Sequence, residues 1–103
     1  MTTPVQIVWR GLAPSEALSE KIHHHAEQLN DALSCRVVVE RPSRTGFAVK
    51  VEIAQTGEPL LVANEPAPDA YAAVNGAFEK ADRSLHSRAP RRRAALRRAR
   101  RGR

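Results

Sequence analysis

The chain has little of what most chemistry is built from. Its single cysteine, Cys35, excludes a disulfide framework and suits a reducing compartment. No apolar run approaches the roughly 18 residues of a membrane span. The opening Met1-Thr2-Thr3-Pro4 has neither the basic region nor the apolar stretch of a secretory signal. A cytoplasmic protein without a membrane partner is expected. There is no glycine-rich phosphate loop, no serine elbow and no paired histidine and carboxylate motif. With 103 residues there is room for one domain and one core. A non-enzymatic protein with no cofactor and no small-molecule substrate follows as the expectation.

Aromatics are scarce as well: Trp9, Phe47, Tyr71 and Phe78 are the full set. The first two and Phe78 fall on expected core faces. Tyr71 stands one helical turn before Val74 and two before Phe78 and is expected to pack with them. No aromatic platform is left on which unpaired bases could stack. Cys35 shares a strand face with Val37 and Val39 and reads as a small core residue. The run His23-His24-His25 does not read as a metal site. Neighbours on a helix point about 100° apart, and a helical metal pair needs a spacing of four. A solvated helix face is the expectation there.

What the chain does have is arginine, concentrated at one end. Residues 88–103 hold nine arginines and no acid. The other eight basic residues share positions 1–87 with all eleven acids, which leaves that part at −3 against +9 for the tail. Arginine forks match phosphate oxygens and stack on bases, so nucleic acid is the favoured partner. An acidic protein or membrane surface is the alternative.

Patterning along the body gives an α+β domain. Val5–Arg10 alternates as a strand with Val5, Ile7 and Trp9 inward. Ser15 is a candidate N-cap for a helix whose stripe is Leu18, Ile22, Ala26, Leu29 and Leu33. Cys35–Arg41 reads as a second strand, and Pro42–Gly46 as a turn. Phe47, Val49, Val51 and Ile53 face one way from a third strand, and Leu60–Ala63 forms a short fourth. Glu65–Pro68 reads as a stiff loop. Asp69 caps a second helix with Ala70, Val74, Ala77, Phe78, Ala81 and Leu85 on one face. Pro90 disfavours the helical conformation at Ala89, so this helix is expected to stop near Arg88. Gly76 inside it costs about 1 kcal/mol relative to alanine and could permit a close contact.

The resulting order is β-α-β-β-β-α. It predicts a four-stranded sheet, strands one and two parallel, with both helices packed on one face, as in a double-stranded-RNA-binding domain. Residues 1–88 form the expected domain. Residues 89–103 form a flexible arginine-rich tail, disordered until bound, with some helical tendency between Arg91 and Arg101.

Leu12–Leu18 at the first helix, Cys35–Glu40 in the second strand, and Asp69–Val74 followed by Glu79–Leu85 resemble the short form of the ribosome hibernation-promoting factor family. That family is also described as ribosome-associated translation inhibitors, protein Y or sigma-54 modulation proteins. The resemblance covers roughly residues 4–88. It implies binding of 16S rRNA of the small ribosomal subunit at the mRNA and tRNA decoding channel, with translation silenced in stationary phase or stress. It also implies rRNA contacts from Lys80, Arg83 and Arg88, to which the tail arginines Arg91, Arg92, Arg93, Arg97, Arg98, Arg100 and Arg101 are added from their charge. The chain departs from the family pattern at Ala81 and Ser84, in its acidic body, and in carrying an arginine tail where long members have a dimerisation domain. A monomer in isolation is expected. The alternatives are a general structured-RNA binder, including a double-stranded-RNA binder, and a sigma-54 modulation-type regulator of transcription acting through protein contacts.

Overall fold

The structure is a computed structural model that describes residues 3–29 and 32–101, with side chains described as far as Arg88. Its elements are β1 (Val5–Arg10), α1 (Glu16–Glu27), β2 (Ser34–Ser43), β3 (Gly46–Ala54), β4 (Leu61–Ala67) and α2 (Ala70–Arg101). The strands form one sheet in the order β1-β2-β3-β4, with β1 and β2 parallel and the other pairs antiparallel. This is the α+β frame expected from the patterning.

The helices lie on one face because only that face is continuously apolar. Val37, Val39, Val49, Val51 and Ile53 are fully buried there. Leu18, Ile22 and Ala26 from α1 close over them, as do Ala73, Val74, Ala77, Phe78, Ala81 and Leu85 from α2. Val5, Ile7, Trp9 and Phe47 are half-buried at the margin of this core. Helix α1 starts where Ser15 accepts a hydrogen bond from the Leu18 amide at 3.3 Å. Helix α2 starts where the Asp69 carboxylate accepts from the Ala72 amide at 3.3 Å. Each cap satisfies an amide that has no partner within its helix.

Several expectations are corrected. Helix α1 ends at Glu27, so Leu33 leaves the apolar stripe and is 58% exposed. Strand β2 runs on through Pro42 and Ser43 past an irregularity in its pairing with β3, which leaves Arg44-Thr45 as the turn. Strand β4 begins after Leu60 and extends through Pro66 to Ala67, where a loop was expected. Proline is tolerated because β4 is an edge strand, one side of which has no neighbouring strand to pair with. Tyr71 is 40% exposed rather than packed. Helix α2 does not stop near Arg88 but runs through Pro90 to Arg101. Proline removes one hydrogen bond and disfavours the residue before it, yet the alanines, arginines and Leu96 that follow are all strong helix formers. The side chains of residues 89–101 and all of residues 102–103 lie outside the described residues.

Leu85 fixes the second half of α2 to the sheet and is 7% exposed. Leu85→Ala is expected to cost about 2–5 kcal/mol. Chemical denaturation followed by circular dichroism measures it, and a cost under 1 kcal/mol would mean that this stretch of α2 is not anchored.

Candidate nucleic-acid interface

The cations of the body are mostly occupied by other groups of the body. On the helix-free face of the sheet, Arg10 pairs with Glu40 at 3.6 Å, and Glu52 takes both Arg36 and Lys50 at 3.5 Å. Arg10 and Glu40 are register partners across β1 and β2, and Arg36 and Glu52 across β2 and β3, so the pairing follows directly from strand alignment. Exposed pairs like these contribute little to stability. They do leave this face close to neutral, with Val38 only 1% exposed between its register partners Val8 and Lys50. Arg41 lies over the Phe47 ring at 5.3 Å and donates to the Arg44 carbonyl at 3.2 Å.

Helix α2 runs antiparallel to β4 and places the three expected contact residues along the sheet margin. Lys80 donates to the Asn64 carbonyl at 3.0 Å and pairs with Glu65 at 2.8 Å. Arg88 donates to the Gln55 side chain at 3.2 Å, level with the end of β3. Arg83 is the one cation of the three with no intramolecular partner among the described residues. With Lys80, Ser84, Val62, Ala63 and Asn64 it lines an open groove of about 460 Å³ between α2 and the β4 edge. Beyond Arg88 the helix continues to Arg101, about 20 Å at 1.5 Å per residue. The expected contact residues Arg91, Arg92, Arg93, Arg97, Arg98, Arg100 and Arg101 lie on this extension, and their side chains are outside the described residues. The family resemblance singles out Lys80, Arg83 and Arg88, and helical spacing places them on one side, but neither shows which of them is already paired.

The histidine run resolves differently from its expectation at one position. His23 and His24 are exposed, but His25 is half-buried between the helices. It hydrogen-bonds the Asn75 side chain at 3.0 Å and stacks on Phe78 with ring centroids 4.9 Å apart. It borders a cleft of about 320 Å³ shared with Gln28, Leu29, Glu79, Asp82 and His86. No group of three or more histidine, cysteine or acidic side chains that could hold a metal ion is found among the described residues. Cys35 is buried in the core, and burial pushes its thiol up from the ordinary 9.0 to about 11. No helix among the described residues is long and apolar enough to cross a membrane.

A scan against family models matches residues 5–93 to the family described as sigma 54 modulation protein / S30EA ribosomal protein. The chain belongs to this ribosome-associated family. Among solved structures, a ribosomal subunit interface protein from Coxiella burnetii superposes with a TM-score of 0.70 at 16% identity, over 82% of this chain and 96% of that one. The N-terminal domain of Thermus thermophilus Protein Y superposes with a TM-score of 0.63 at 18% identity, with the same coverages of 82% and 96%. At these identities the two structures establish the fold. No curated protein matches the sequence.

The thiol of Cys35 gives a check on this geometry. Because its folded value is raised, the native state favours the neutral form. The associated stability is complete below pH 9.0 and is lost as pH rises toward about 11. Denaturation midpoints should therefore fall less steeply in Cys35→Ala than in the parent between those two pH values. Equal slopes would mean that the thiol ionises as freely in the folded chain as in the unfolded one.

Proposed function

We propose that this protein silences translation, in stationary phase or stress, by occupying the mRNA and tRNA decoding channel of the small ribosomal subunit, with no chemical step. The observation that carries the reading is membership of a ribosomal-protein family over residues 5–93. The solved relative from Coxiella burnetii is itself described as a ribosomal subunit interface protein. In this reading the body is the wedge and α2 is the side that rests on 16S rRNA. Lys80, Arg83 and Arg88 meet phosphates along the sheet margin. Arg91, Arg92, Arg93, Arg97, Arg98, Arg100 and Arg101 follow the mRNA path. Phosphate contacts of this kind position a protein without reading sequence, which suits a blocker of every ribosome. The acid-free stretch over residues 88–103 supports the same division of labour.

Competition tests it. Excess mRNA plus initiator tRNA should displace the protein from small subunits in a sedimentation assay. Persistence alongside a full complement of both would falsify channel blocking, however tight the binding. The family description also names sigma 54 modulation. A regulator acting on transcription through protein contacts would leave ribosomal subunits unbound in the same gradient.

The tail makes a second expectation quantitative. If about six arginines engage, log K against log salt should slope near −4 to −5, at roughly −0.7 to −0.9 per phosphate contact. Removing residues 89–103 should flatten the slope and weaken binding. An unchanged slope after truncation would show the tail to be a bystander.

A further inference from the structure

Two unfavourable choices coincide where α2 crosses β4. Glu65 is in register with Val49, on the helix-covered side of the sheet where Leu61 and Ala63 are buried. A carboxylate is poor packing material there. Directly above it stands Gly76, in a helix interior where glycine is disfavoured. The two fit each other. A Cβ at position 76 would lie 2.7 Å from Cγ of Glu65 and 2.9 Å from its Cδ, so only glycine leaves the carboxylate its place. What the pair achieves is seen one turn further along. Glu65 Oε2 reaches Lys80 Nζ at 2.8 Å, with the Glu65 side chain 26% exposed and that of Lys80 45% exposed. The Asn64 carbonyl takes a second ammonium hydrogen at 3.0 Å.

We infer that Glu65, seated by Gly76, is an internal stand-in for an RNA phosphate that holds down the contribution of Lys80 to binding. The inference rests on the RNA-binding reading above and sharpens it. A phosphate approaching this groove meets a cation already neutralised, and it must displace a carboxylate to use it. Arg83, in the same groove and without a partner among the described residues, takes the first phosphate. Glu65 is thus a positioning residue that acts through Lys80, and it weakens the grip of the body relative to that of the tail. The groove then contributes one full contact in place of two.

The test uses the full chain, titrated between 50 and 200 mM salt against purified small subunits and, separately, against a plain RNA hairpin. Glu65→Gln should bind more tightly than the parent, with a salt slope steeper by about 0.7–0.9, so that its advantage narrows about threefold across that range. In a Lys80→Gln background the gain should vanish, since the two changes act through one pair. Glu58→Gln makes the same charge change at a residue with no ion-pair partner among the described residues, and it sets the size of a non-specific effect. Gly76→Ala pushes the carboxylate aside by another route and should shift binding in the same direction as Glu65→Gln, with a thermal melt showing that the variant is folded. If Gly76→Ala does not fold, the comparison of Glu65→Gln with and without Lys80 decides alone. The inference is overturned if Glu65→Gln gains no more than Glu58→Gln, if its gain persists without Lys80, or if it binds more weakly with a shallower slope. The hairpin keeps this outcome separate from the ribosome reading. A coupled gain on the hairpin with no binding to subunits would sink channel blocking and leave the role of Glu65 standing.

Discussion

Val49, Val51 and Ile53 point one way from β3, and the rest of the molecule is arranged to keep water from them. Strand β3 is central, so its inner residues are flanked on both sides by strands and covered from above by α2. Each is fully buried. Because side chains alternate along a strand, the same register that buries these three turns Lys50 and Glu52 outward. There they meet residues of β2 whose positions were set by the same rule. The near-neutral outer face and the apolar inner face are therefore one constraint seen from two sides. A slip of one residue would exchange them and bury the charges.

This constraint explains what could be read from the sequence. The alternation in β3, the fourfold spacing from Leu18 to Ile22 to Ala26, and the apolar stripe of α2 are properties of single elements, and each appears in the fold. Fold and local pattern part company where the outcome depends on a neighbour. Glu65–Ala67 looks like a loop until β4 is known to lie at an edge, where a proline is tolerated. Leu33 keeps helical phase with Leu29, but the chain leaves the helix first. His25 sits in an exposed-looking run and is half-buried because Asn75 and Phe78 come from the other helix. Pro90 looked like a stop, and the local preference for ending was outweighed by the helix-forming residues after it.

For the candidate interface, the family resemblance points to α2 and charge points to the arginines past Arg88. The standing of each cation could not be read, because a salt bridge such as Lys80 with Glu65 joins residues from different elements and has no trace in local pattern. The body emerges as a place where charges are largely balanced internally, and the acid-free end of α2 as the place where positive charge accumulates unopposed. The arginines past Arg88 belong to no part of the described core.

The outer margin of β4 has a consequence for how this chain behaves in company. An edge strand exposes a row of amides and carbonyls onto which another chain can add, and crowded proteins stick together in this way. Here Pro66 has no amide to offer, and the Asn64 carbonyl is already taken by Lys80. Addition of a second chain is therefore disfavoured at β4 relative to β1, the other edge of the sheet.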